Sequence, residues 1–164
     1  MLVPFTIKTS LLPTYNSKHT ASAAPIWLEQ LTRAFSLRCL ELSLPLTTTA
    51  LWPMYAVRTM TDDAGTWATY NLPIQVLTTI TWDAFRAMVI AAFVPQGELT
   101  KTKLAFDRLQ CGKTEAITAF NNRWCKLHLI LNADLLQPSD QILMDTYVLK
   151  VSNNTPVSLA FASF

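Results

Sequence analysis

Apolar and polar positions show no sustained period over the first two dozen residues, and helical spacing almost without a break after them. Residues 1–24 carry Pro4, Pro13 and many Ser/Thr side chains, so they read as an extended arm. Leu28, Leu31 and Phe35 then recur at steps of three and four beside Trp27. Pro25 is tolerated there because a first-turn N–H has no intrahelical partner to lose. That helix should end near Arg38 to Leu42, ahead of Pro45. From Pro53 onward Ala56, Met60, Ala64 and Trp67 share one face, with Thr61, Asp62 and Asp63 offering a break and a new N-cap, which predicts two short helices. Val76 to Ile80 has a strand-like composition between helical neighbours and reads as an extended piece or one helical turn.

Thr81 is a good N-cap for a helix bearing Trp82, Phe85, Val89 and either Ala92 or Phe93 at helical spacing, with Asp83 in its first turn. Val94-Pro95-Gln96-Gly97 stops it, and Pro95 to Gly97 marks a hinge between two lobes. Leu99, Phe106 and Leu109 outline the next helix. After a polar turn at Gly112, Ile117, Phe120, Trp124, Leu127 and Leu131 fall at steps of 3, 4, 3 and 4, which stacks them on one face. Thr114 is placed to cap this helix and Glu115 to open it at the positive end of the dipole, with Gly112 suiting a tight turn. Glu115 and Arg123 stand eight residues apart, too far for a contact between neighbouring turns, so any meeting needs other backbone between them. Ser139 after Pro138 should cap a helix with Ile142, Leu143 and Tyr147, and Thr155-Pro156 should open a last one. The fold class is all-α: an arm over 1–24, a helical lobe over 25–95 and a second over 96–164.

Composition moves the reading towards association. Half of the 164 residues are hydrophobic (51%) and only 15% are charged, against about 25% in an average soluble protein. Apolar side chains must therefore spill onto the surface, which favours contact with other chains. The longest apolar runs fall far short of the roughly 20 residues a membrane span requires, and Met1 to Ile7 lacks the basic start of a secretory signal. A net charge of +2 without any Lys/Arg cluster gives nucleic-acid binding little electrostatic support, so contact with RNA would run through a segment outside this chain. Cys39, Cys111 and Cys125 make an odd set with no CxxC pair, which argues against a zinc knuckle or a disulfide framework and suits reduced thiols in the cytoplasm.

Several motifs tempt and fail. Gly112-Lys113-Thr114 is the tail of a P-loop, but the first glycine it needs is replaced by Asp107 and no strand precedes it. Asp63-Ala64-Gly65 resembles an aspartic-protease loop, yet its flanks are helical, where an acidic helix N-terminus accounts for it. His19 lies in the arm and His128 has no ligand-type residue one turn away, so neither supports a metal or a general base. Asn153-Asn154-Thr155 fits a glycosylation sequon, but without a secretory signal it reads more simply as a helix cap. Trp27, Trp67, Trp82 and Trp124 each sit on a helical apolar stripe and read as core. No nucleophile–base or carboxylate pair stands out, so no enzyme, cofactor or metal site is expected.

Taken in order, these pieces resemble the capsid region of Gag from long-terminal-repeat retrotransposons of the Ty3/gypsy type. The match runs from Leu12-Pro13-Thr14-Tyr15 and Trp27-Leu28-Glu29-Gln30-Leu31, through Ala64-Gly65-Thr66-Trp67, to Thr81-Trp82-Asp83-Ala84-Phe85 and Phe93-Val94-Pro95. In the second lobe Gly112, Glu115, Phe120, Arg123 and Trp124 fall at the spacing of the major homology region, here residues 109–127. The family's glutamine, glycine, glutamate and arginine tie that turn to its helix by hydrogen bonds, and the resemblance implies such a contact for Glu115 and Arg123. The family's glutamine aligns with Cys111, while this chain has Gln110 one residue earlier: either the register shifts locally or the network is weakened, since a thiol cannot donate and accept as an amide does.

The resemblance implies a two-lobed helical capsid protein, non-enzymatic, that self-associates into virus-like particles around element RNA. Its structural residues would be Gly112, Glu115, Phe120, Arg123 and Trp124, with Trp82, Phe85, Pro95 and Gly97. A host-adopted remnant that binds a peptide or protein in a helical groove is the alternative.

Overall fold

A computed structural model describes residues 4–18, 23–95, 97–132 and 140–152. Helix dominates them, with no strand among the described residues beyond one parallel bridge between Tyr15 and Met60. The chain divides into two compact units, Met1–Gln96 and Gly97–Phe164.

In the first unit α1 (Ala23–Glu41) carries Pro25 in its opening turn and buries Trp27, Leu28, Leu31, Phe35 and Cys39, the stripe set by the three-four spacing. It packs on α5 (Trp82–Phe93), whose Thr81 hydroxyl accepts the Ala84 N–H (3.1 Å) and so satisfies one orphan donor of the first turn. α2 (Trp52–Val57) also packs on α5. The break at Thr61 separates it from α3 (Asp62–Asn71), where Asp63-Ala64-Gly65 forms part of the first helical turns. Val76 to Ile80 resolves into a single helical turn, α4 (Ile74–Leu77), and its continuation.

An aromatic cluster around Trp82 explains why this unit closes. Trp82 stacks on Phe85 and meets Phe35 and Trp52 edge-on, while its indole N–H donates to Thr32 Oγ1 (3.1 Å). Thr32 in turn donates to the Leu28 carbonyl, so the polar end of a buried indole is satisfied inside the α1–α5 seam. The same seam holds an ion pair the spacing did not reveal: Arg86 Nη2 donates to Glu29 Oε1 (2.5 Å), with both side chains largely buried.

Over residues 4–18 the arm has no helix apart from a 3-10 turn at Thr9–Leu11, yet it is not a free tail. Phe5, Leu12 and Tyr15 are buried. Tyr15 exchanges main-chain hydrogen bonds with Thr59 and Thr61 (3.0 and 2.8 Å), and the Trp27 indole N–H donates to the Pro13 carbonyl (3.0 Å). The apolar residues of an otherwise aperiodic stretch thus complete the core of the first unit.

The second unit contains α6 (Glu98–Arg108) and α7 (Ile117–Asn132), which pack on one another, and α8 (Asp140–Val151). Leu109, Cys111, Phe120 and Val151 form its core, with Ile117, Trp124, Leu127 and Tyr147 packed against them. The expected cap at Ser139 and the last helix from Thr155-Pro156 lie outside the described residues, as does the sequon at Asn153.

Candidate functional site

The turn between α6 and α7 is where the second unit concentrates its polar chemistry. The helix begins at Ile117, two residues later than the Glu115 start predicted from sequence behind a Thr114 cap. The reason is a competing use for the carboxylate. Glu115 folds back over the turn: its Oε2 accepts the Gly112 N–H (2.9 Å), and its own N–H donates to the Gly112 carbonyl (3.1 Å). A local side-chain acceptor has displaced the first helical turn.

That placement lets Glu115 and Arg123 meet across eight residues. Arg123 Nε and Nη2 both reach Glu115, at 3.0, 2.8 and 2.6 Å, in a forked charge-assisted contact, and Nη2 also donates to the Gln110 carbonyl (3.2 Å). The guanidinium therefore joins α7 to both sides of the turn. Its hydrogen bonds, and then that of the Gly112 N–H, hold the Glu115 carboxyl below the ordinary carboxylate range. Arg123 also lies over the Phe120 ring, its Cζ 5.8 Å from the centroid.

Gly112 is required for proximity and not for a left-handed backbone. Among the described glycines only Gly97 has a positive φ, +100°. A Cβ on Gly112 would stand 3.2 Å from Glu115 Cβ, which is tighter than ordinary contact. The glycine lets the carboxylate lie against the turn. The same hydrogen bond engages the Gly112 N–H, the group a phosphate-binding loop would have to offer, so Gly112-Lys113-Thr114 lacks the geometry of a P-loop as well as its sequence.

Cys111 faces inward. Its side chain belongs to the core cluster and its N–H donates to the Lys150 carbonyl (3.0 Å), which ties the turn to the end of α8. The carbonyl Arg123 uses belongs to Gln110, so the guanidinium's contact to the turn is made through main chain.

Lys150 was invisible to periodicity. It is 5% exposed, and its ammonium donates to the carbonyls of Asp107 (2.8 Å) and Leu109 (3.1 Å), the orphan acceptors at the C-terminus of α6. It also lies 5.7 Å from the Phe106 ring centroid. Burial lowers its pKa, and the charge of Asp107 opposes that shift. Only partners made of main-chain carbonyls could have pointed to it, and sequence does not show those.

The remaining sequence-predicted residues are distributed. Phe120 is fully buried, and Trp124 meets Phe106 (4.5 Å between centroids) and Tyr147 (5.4 Å). Tyr147 donates to Asn121 Oδ1 (2.6 Å), holding α8 to α7. Trp82 and Phe85 lie buried in the core of the first unit. Pro95 is exposed after α5, and Gly97, in the left-handed region that favours glycine, is the N-cap of α6. His128 packs beside Phe106.

No three His, Cys, Asp or Glu side chains gather as a metal site among the described residues, and no described helix is long and apolar enough to cross a membrane. The described cysteines form no disulfide: Cys39 and Cys111 are buried and Cys125 is exposed. The chain matches no protein-family model, no curated protein and no solved structure.

Proposed function

We propose that this chain is a Gag-like structural protein of the Ty3/gypsy capsid type, non-enzymatic and cytoplasmic, that builds virus-like particles by self-association. One observation carries the reading: Glu115 bridges the Gly112 N–H and the Arg123 guanidinium, the contact that the major-homology resemblance implies and that spacing alone left open. Two further features support it. The chain divides into two compact units, Met1–Gln96 and Gly97–Phe164, and two helical units in one chain suit a two-lobed capsid reading. Exposed Leu37, Leu40, Tyr70, Ile74, Met144 and Leu149 leave apolar surface on both units for many weak contacts. Contact with RNA would run through a segment outside this chain.

Sedimentation of the purified protein across salt and concentration tests the reading. A discrete, fast-sedimenting species that grows with concentration supports it. A monomer under every condition overturns it in favour of an adopted remnant that binds a peptide or protein partner.

A further inference from the structure

We infer that the peptide group joining Gln110 to Cys111 is a coupler, so that seating of the end of α8 and closure of the Glu115–Arg123 pair are one conformational event. The coupling lies within a single copy and does not depend on assembly. Three observations carry it.

Two helices grip one rigid plate. The Gln110 carbonyl accepts from Arg123 Nη2 on α7 (3.2 Å), and the Cys111 N–H donates to the Lys150 carbonyl on α8 (3.0 Å). These groups are the two ends of the same peptide unit, which resonance keeps planar with its C=O and N–H on opposite edges. Turning the plate to release one bond misaims the other, and hydrogen bonds weaken steeply as their angle closes.

The units on either side are committed in the same way. One unit earlier, the Leu109 carbonyl accepts from Lys150 Nζ (3.1 Å), which also reaches the Asp107 carbonyl (2.8 Å). One unit later, the Gly112 N–H donates to Glu115 Oε2 (2.9 Å), on the carboxylate that Arg123 forks. Three consecutive peptide units are therefore held by α8, by α7 and α8 together, and by the Glu115 carboxylate. No unit between them is left to absorb a rotation.

The two grips differ in their access to water. Arg123 and Glu115 keep 49% and 20% of their side chains exposed, so water can replace part of what they lose on parting. Lys150 is 5% exposed, and the carbonyls it serves have no such substitute while the end of α8 stays seated. The buried grip is the firmer one: α8 acts as the latch, and the ion pair opens and closes with it.

The test uses the full chain, with side-chain carboxyls carbon-13 labelled and amide exchange read residue by residue by NMR. In the parent chain the Glu115 carboxyl is held below the ordinary carboxylate range. Lys150→Met leaves every atom of the ion pair in place, yet it should carry the Glu115 titration upward towards the ordinary range. Linkage requires the converse effect, so Arg123→Ala should speed exchange of the Cys111 amide by about five-fold or more beyond any change in the middle of α6. A folded Lys150→Met variant with the parent titration overturns the coupling. So does Cys111 exchange in Arg123→Ala that stays at the parent rate, or that rises only as much as exchange in the middle of α6. If Lys150→Met does not fold, the Arg123→Ala exchange decides by itself.

Discussion

Replacing Phe120 by Ala removes the ring at the centre of the second unit. Its side chain is fully buried and meets Trp124, Tyr147 and the Arg123 guanidinium within a cluster closed by Leu109, Cys111 and Val151. Truncating such a ring costs about 3 to 5 kcal/mol, the lost transfer energy plus the cavity left when neighbours relax only in part. At roughly 0.05 to 0.15 kcal/mol per residue, a unit the length of Gly97–Phe164 is stable by about 3 to 10 kcal/mol. The variant therefore loses a large share of its stability, about two to four powers of ten in the folded-to-unfolded ratio. Phe120→Leu keeps most of the volume and should cost about 1 kcal/mol. Hydrogen exchange by mass spectrometry across a urea series, read on peptides from α6 and α7, measures both. Equal losses for Ala and Leu, or none for Ala, would refute a close-packed core at this position.

Three further outcomes follow from the turn and its supports. Arg123→Ala should lower the melting temperature of the second unit, and Arg123→Lys should recover only part of it because an ammonium cannot fork across Glu115; both effects should be smaller than that of Phe120→Ala, since the pair is partly exposed. The pH dependence has a definite sign: because the Glu115 carboxyl is held low, its contribution is complete above the ordinary carboxylate range and is lost as acid takes the pH down through the depressed value, so Glu115→Gln should flatten the acid limb of a pH–stability curve. Lys150→Met leaves the Asp107 and Leu109 carbonyls without their charged donor, so it should destabilise the second unit by about 1 to 3 kcal/mol by urea titration, the saved cost of burying a charge offsetting part of the loss; a more stable variant would show that desolvation outweighs the two bonds.

Local pattern made much of this structure legible. The three-four spacing located α1, α5 and α7, the prolines and Thr61 set the breaks, and Thr81 capped as its position demanded. What stayed hidden depends on contacts between distant residues. Tyr15 pairs with Thr59 and Thr61 through main chain, Glu29 finds Arg86 from 57 residues away, and Lys150 is committed to two carbonyls. Trp52 belonged to no assigned stripe, yet it is buried against Phe35 and Trp82. The Thr114 cap failed for a physical reason visible only in three dimensions: the Glu115 carboxylate gains more from Gly112 and Arg123 together than from the end of a helix dipole. A glutamate three residues after a glycine, with an arginine eight further on, was the one sequence signal of that lock.

Electron microscopy of the fastest-sedimenting fraction tests the central claim most directly. Assembly of a capsid type predicts closed particles of uniform size whose yield falls when Phe120 is truncated. Irregular aggregates, or a field of monomers at every salt and protein concentration, would contradict it.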